Sequence, residues 1–203
     1  MADANTQWLR PVTLAGEHVR LEPLDQAHVP ALIAAASDGE LWRLWCAHVP
    51  SPQTMATWVA TACADRDAGL ALPFVVRDGN GEVVGCTRYC HADAGNRRLE
   101  IGYTWYAARV QRSGLNTQAK WLLLRHAFES LHSIAVEFRT HWLNHRSRAA
   151  IARLGAKQDG VLRNHRIMPD GSYRDTVVFS IIASEWPGVD RHLRFLIERG
   201  GRS

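Results

Sequence analysis

The chain has 203 residues, 46% of them hydrophobic and 22% charged, with a formal net charge of +4. This length fits a single domain, its core at about 17–183 and a C-terminal helix over 184–199, which can bury a full core without staples. Plentiful apolar residues and the lack of any low-complexity tract exclude extensive disorder. No run approaches the roughly 20 apolar residues of a spanning helix, so no membrane partner is expected. Met1 to Gln7 has neither a basic start nor an apolar run, so no signal peptide is expected and the location expected is cytoplasmic. The basic residues are almost all arginine, Lys120 and Lys157 being the only lysines. A sequence pI of about 9.1 suits an anionic ligand but decides nothing alone.

The cysteines Cys46, Cys63, Cys86 and Cys90 form no C-x-x-C pair. Cys86 and Cys90 with His91 nearby would allow a zinc site. Buried free thiols in a reducing compartment are the preferred reading, and no metal is expected.

In chain order, period-two alternation from Glu17 to Leu24 predicts a first strand. Asp25 can cap a short helix through Ala31, Leu32, Ile33 and Ala36. A second helix is predicted from Ser51-Pro52 to about Asp67, and the segment between them, Leu41 to Trp45, is too aromatic for an ordinary linker. Strands at Leu72–Val76 and Val83–Tyr89 flank Asp78-Gly79-Asn80-Gly81, a hairpin signal, and a third antiparallel strand follows at Arg98–Tyr106. A polar loop then leads into a helix from about Asn116 to Leu131, apolar nearly all round except for a seam of Gln118, Arg125 and Glu129. Ile134–Arg139 is a fifth strand, placed to pair in parallel across that crossover. Asn144 caps a helix that ends at Gly155. Two strands near Val161–Met168 and Tyr173–Ile182, then a terminal helix from about Ser184, complete a single α/β domain on a mixed, mostly antiparallel sheet of about seven strands.

The clearest candidate for chemistry is the stretch from Tyr106 to Thr117, where a strand ends, a loop with one glycine turns, and a helix begins. Free N–H groups at a helix start, with the helix dipole behind them, can hold a phosphate. Gly114 permits close backbone approach, while Arg112, Ser113, Asn116 and Thr117 add donors. The loop is neither a Walker A motif nor a three-glycine dinucleotide fingerprint.

With Gln111-Arg112-Ser113-Gly114-Leu115-Asn116 on one side and Asn144-His145-Arg146-Ser147 with Leu154-Gly155 on the other, the chain resembles the GNAT superfamily of acetyl-coenzyme A-dependent N-acetyltransferases, in its RimJ/RimL-like branch. The resemblance spans roughly Val19 to Ile182. It implies the GNAT fold, a Q/R-x-x-G-x-G/A loop that binds the coenzyme pyrophosphate, and an asparagine, Asn144, beside the pantetheine arm. Asn116 stands where glycine or alanine is usual, and Ala156 replaces a common phenylalanine. The cofactor residues it implies are therefore Gln111 to Thr117, Asn144 and Ser147, and acetyl-coenzyme A is the expected co-substrate, with no metal.

The implied activity is direct transfer of the acetyl group to a primary amine of a peptide N-terminus or small molecule. Glu100 is the candidate base, acting directly or through water, against the alternative of a carboxylate paired with Arg97 or Arg98. Many relatives carry a tyrosine acid where Ile151 stands, which leaves Ser147 or Tyr106 as the candidate proton donor. Ser147 could equally serve a local cap. Trp42, Trp45, His48 and Asp175 are the candidate acceptor contacts, against core, loop and turn roles. The alternatives are a detoxifying, aminoglycoside-type transferase, a non-catalytic acyl-coenzyme A sensor, and an RNA-binding module. No RNA-binding motif supports the last, so nucleic acid is not an expected partner. A homodimer is a further possibility, for which the apolar stripe of the C-terminal helix could serve, or that stripe could pack home.

Overall fold

The computed structural model describes residues 8–200, so the reading of Met1 to Gln7 lies outside the described residues. Eight strands form one sheet in the order β1-β2-β3-β4-β5-β6-β8-β7. They are β1 (Leu14–Ala15), β2 (Val19–Pro23), β3 (Leu72–Asp78), β4 (Val83–Asp93), β5 (Arg98–Tyr106), β6 (Ala135–His141), β7 (Lys157–Ile167) and β8 (Tyr173–Ile182). Every neighbouring pair is antiparallel except β5 and β6. The α-helices among the described residues are α1 (Val29–Ser37), α2 (Met55–Asp67), α3 (Leu115–Arg125), α4 (His145–Arg153) and α5 (Trp186–Gly200).

The sheet is covered on both faces. Leu72, Phe74 and Val76 of β3 join Leu122, Leu123 and Leu193 from α3 and α5. Val75, pointing the other way, joins Leu32 of α1 and Val59 of α2. A strand buried on both faces reads as a continuous apolar run, which is why Leu72–Val76 is so uniform. The apolar stripe of α5 packs home. Val189 and Leu193 are buried, and Trp186 stacks on Phe128 with ring centroids 5.3 Å apart.

Several boundaries differ from the sequence reading. The expected seven strands become eight because Leu14 and Ala15 pair with Leu21 and Arg20. The second helix begins at Met55 rather than Ser51-Pro52. Ser51 instead closes a turn, its carbonyl accepting from the N–H groups of Thr54 and Met55. β4 runs on to Asp93, and β7 starts at Lys157 rather than near Val161, since pairing with β5 and β8 carries each past its alternating stretch. The long third helix is α-helical only to Arg125 and finishes as a π turn, His126–Ser130. The Tyr89 hydroxyl donates to the Leu123 carbonyl at 2.6 Å just before that widening, where an inserted side chain favours a π turn. No helix of the described residues is long and apolar enough to cross a membrane.

One detail of the topology positions everything that follows. β5 and β6 pair in parallel only over Arg98–Glu100 with Ala135–Glu137. Beyond Glu100 the ladder ends and the strands part.

Candidate active site

Between the parted strands lies a cavity of about 870 Å³. Glu100 to Tyr106 of β5 line one wall and Phe138 to His141 of β6 the other, with α4, the start of α3 and residues 46–49 closing the ends. β5 is bulged in that wall. Cys86 pairs with Trp105 and Arg88 with Gly102, so Thr87 alone opposes both Tyr103 and Thr104. Tyr103 takes up the extra residue in the left-handed region, at φ 52°. The bulge takes the backbone of Tyr103 and Thr104 out of the β4 ladder within the cavity wall. Beside it, a Cβ on Gly85 would sit 2.1 Å from the Trp105 carbonyl oxygen, so only glycine fits there.

The loop before α3 has the geometry of an anion cradle. Gln118 is the first residue of the helix whose N–H finds a backbone carbonyl, that of Gly114. The N–H groups of Asn116 and Thr117 are thus left without helical partners. The Ser113 hydroxyl donates to Val110 O at 2.7 Å and accepts from Leu115 N at 3.3 Å, fixing the loop. Gln111 is held by its own amide, which donates to Tyr106 O at 2.8 Å and accepts from Arg146 at 3.0 Å. The residue at positive φ is Arg112, at 65°, while Gly114 has an ordinary helical conformation, φ −68° and ψ −10°. A Cβ added to Gly114 would meet nothing within 4 Å. The chain's own geometry makes no use of the missing side chain, and a ligand would. The Asn116 Oδ1 is buried and without a partner among the described residues. The free N–H groups of the loop, and not that acceptor oxygen, fit a pyrophosphate-bearing coenzyme at this end, with Arg112, Arg146 and Arg153 lining it. Leu115 and Thr117 are buried behind the loop, outside the cavity lining, and Thr117 accepts from Arg153 at 2.7 Å.

Asn144 caps α4, its Oδ1 accepting from Ser147 N at 3.0 Å. The capped group is thus the backbone of Ser147, whose side chain lines the cavity beside Ala150 and Ile151. Tyr106, at the end of β5, lines it too. Its hydroxyl is buried and unpartnered among the described residues, and burial pushes its pKa up, keeping the proton in place.

Glu100 occupies the last parallel rung, only 6% exposed. The anticipated pairing with Arg97 or Arg98 does not form, because Arg98 reaches across to Glu137 at 2.6 Å. Glu100 instead meets His91 Nδ1 at 2.9 Å and Arg139 Nε at 3.4 Å. That hydrogen bond to Glu100 raises the His91 pKa. Ligand atoms of Cys90, His91 and Glu100 lie within 4.8 Å of one another. Burial pushes the Cys90 thiol up. All four cysteines are free.

The acceptor candidates separate. His48 lines the cavity, and burial, then Arg174 and Arg166, lower its pKa. Trp42 packs against the core under α1 and α2, and Trp45 lies outside the cavity lining, 60% exposed and edge-on to the His141 ring. Asp175 is also outside it, because its carboxylate is spent on the bulged edge strand, accepting from Asn164 N at 2.7 Å and pairing with Arg163 at 2.6 Å.

Several cavity residues escaped the sequence reading, among them Arg139, Arg166, Arg174 and Lys120. Lys120 is buried, and its Nζ donates to Thr104 Oγ1 at 2.6 Å and Thr87 Oγ1 at 3.3 Å, in the bulge. It lies one turn beyond Asn116, so the i, i+4 spacing could have placed it on the cavity face. Burial lowers its pKa to about 7. Between that value and the unfolded pKa, near 10.4, the unfolded chain binds the extra proton, so stability rises with pH across this window. The burial penalty acts in full below about pH 7, on the order of 4 kcal/mol. Lys120→Met is therefore expected to flatten the rise and to raise the urea midpoint most at or below neutral pH. Denaturation curves from pH 6 to 10 check this.

An acetyltransferase (GNAT) domain model matches residues 18–157. YdaF of Bacillus subtilis (strain 168), whose name assigns it provisionally as a ribosomal N-acetyltransferase, is 28% identical over 178 residues, covering 85% of this chain and 95% of YdaF. A GCN5-related N-acetyltransferase from Brucella melitensis aligns with a TM-score of 0.83 at 30% identity, over 93% of this chain and 86% of that one. RimJ of Mycobacterium smegmatis, solved with CoA-disulfide, shares the fold with a TM-score of 0.76 at 24% identity, over 90% and 93% of the two chains. The fold of the RimJ/RimL-like branch, expected from the two loop motifs, is thus represented among these structures. With a family match over more than half its length and a cleft built as its motifs imply, the chain belongs to the GNAT acetyltransferase family.

Proposed function

We propose that this protein transfers the acetyl group of acetyl-coenzyme A to a primary amine, on a peptide or protein N-terminus or a small molecule, with both substrates bound together. The observation that carries the reading is the cleft between β5 and β6 that runs from the buried Glu100 to the start of α3 at Ser113 and Asn116. Acetyl-coenzyme A supplies an activated acetyl group, whose transfer needs a proton acceptor, donors at the carbonyl oxygen and a proton for the departing sulfur. In this reading Glu100 takes the proton from the amine and His91 and Arg139 hold its carboxylate in place. The bulged β5 backbone offers N–H donors at the carbonyl. Tyr106, with its unpartnered hydroxyl, or Ser147 provides the final proton. Asn144 and Gln111 to Thr117 hold the coenzyme.

The kinship to YdaF supports a ribosomal or other protein N-terminus as acceptor and a cytoplasmic site of action. A polycationic drug acceptor is disfavoured, because Glu100 is the only carboxylate among the described residues that line the cavity. Calorimetric titration of acetyl-coenzyme A, followed by thiol release with a panel of peptide and small-amine acceptors, tests the reading. It expects saturable 1:1 binding and acceptor-dependent thiol release. Binding without release for any amine would leave a sensor, and no binding would overturn the proposal.

A further inference from the structure

Among the described residues, six arginines and one lysine line the cavity against a single carboxylate, Glu100. At the coenzyme end, Arg112, Arg146 and Arg153 face a ligand rich in phosphate. Arg139 is taken up by Glu137 at 2.9 Å and by Glu100 at 3.4 Å. Arg166 and Arg174, from the β7–β8 edge, remain, and neither pairs with a carboxylate among the described residues.

Arg174 is the more informative of the two. It is 8% exposed, and its Nε donates to Thr176 Oγ1 at 3.1 Å. Its two terminal nitrogens make no hydrogen bond among the described residues, though the side chain lines the cavity. Arg174 has no direct carboxylate partner among the described residues, Glu100 acting on it only from a distance, and a bound anion would supply that partner. His48, His141 and His165 line the same end, each pushed down first by burial and then by neighbouring arginines, so they stay neutral at pH 7. Arg166 is exposed, close enough for its charge to act on Arg174, His48 and His165. This end of the cavity therefore carries more positive charge than carboxylate, since Glu100, the one carboxylate among its described lining residues that acts on Arg174, already pairs with Arg139.

We propose that the amine acceptor carries an anionic group, a carboxylate or a phosphate, which Arg174 and Arg166 hold while its amine lies towards Glu100. The guanidinium fork suits either group, since both present two oxygens to parallel N–H donors. The inference rests on the acetyl-transfer reading of the cavity and adds the charge class of the acceptor to it.

The test uses matched peptides titrated calorimetrically into protein already saturated with coenzyme A. Ala-Asp-amide is compared with Ala-Asn-amide, and Ala-phosphoserine-amide with Ala-Ser-amide, which separates carboxylate from phosphate. At least one charged peptide should bind about tenfold or more tightly than its neutral partner. That advantage should fall below about threefold in Arg174→Gln, recover in part in Arg174→Lys, and narrow in Arg166→Gln, an exposed position where folding is not at risk. Coenzyme A affinity should be unchanged in all three. If neither charged peptide outbinds its neutral partner in the wild-type protein, or if the advantage survives in both glutamine variants, the proposal is overturned. Loss of the acetyl-transfer reading would show separately, as failure of coenzyme A to bind in the first titration. The peptides are then titrated into the protein alone and judged by the same criterion.

Discussion

Gly114→Glu is expected to weaken acetyl-coenzyme A binding by more than about 100-fold while leaving the fold intact. Gly114 sits at φ −68° and ψ −10°, a conformation open to every residue, and a Cβ there meets nothing within 4 Å. A glutamate therefore costs the folded chain little. Its carboxylate, however, projects into the space before the free N–H groups of α3, where it takes the place of a phosphate and repels the others. Calorimetry gives the affinity, and circular dichroism with a thermal melt confirms the fold. Near wild-type affinity would move the coenzyme site away from this loop. Gly85 is the instructive contrast, since a Cβ there lies 2.1 Å from a backbone oxygen and any substitution breaks the β4–β5 pairing. Gly85 serves the chain's own pairing, and Gly114 is the glycine proposed to serve the ligand.

Glu100→Gln should lower kcat/KM by about 100-fold or more with acetyl-coenzyme A affinity near that of the wild type. The substitution keeps the shape of the side chain and a hydrogen-bonding oxygen for His91, but it removes the proton acceptor. Glu100 lies where the β5–β6 ladder ends, so its side chain is held by the last paired rung and opens onto the first part of the cleft. Initial rates of thiol release, together with a calorimetric Kd for each protein, separate loss of chemistry from loss of binding. Unchanged turnover would leave Glu100 a purely structural partner of His91 and Arg139.

Much of the molecule is written locally in the chain. The hairpin around Asp78-Gly79-Asn80-Gly81, the apolar helix after the loop, the Asn144 cap and the Gly155 stop all depend on neighbours in sequence. The coenzyme loop is legible for the same reason, because Gln111 to Thr117 is one continuous strand-to-helix turn. The acceptor end could not be read in this way. His91, Glu100, Arg139, Arg166 and Arg174 come from β4, β5, β6, β7 and β8, and no spacing in the sequence brings them together.

Asp175 shows the same limit from the other side, since a carboxylate at the start of a strand near the site is as apt to hold a bulge as a substrate. Lys120 looked like an ordinary helix residue until burial and the bulge of β5 gave it Thr87 and Thr104 as its partners. By itself the sequence determined nearly the whole order of elements, the family and the loop proposed for the coenzyme phosphates, because periodicity, caps and loops are short-range effects. Only the tertiary structure decided which charges face one another across the cleft. Burial and pairing depend on the register of strands far apart in the chain, and those set whether an arginine is neutralised, as Arg98 is by Glu137, or left without a directly paired carboxylate, as Arg174 is among the described residues.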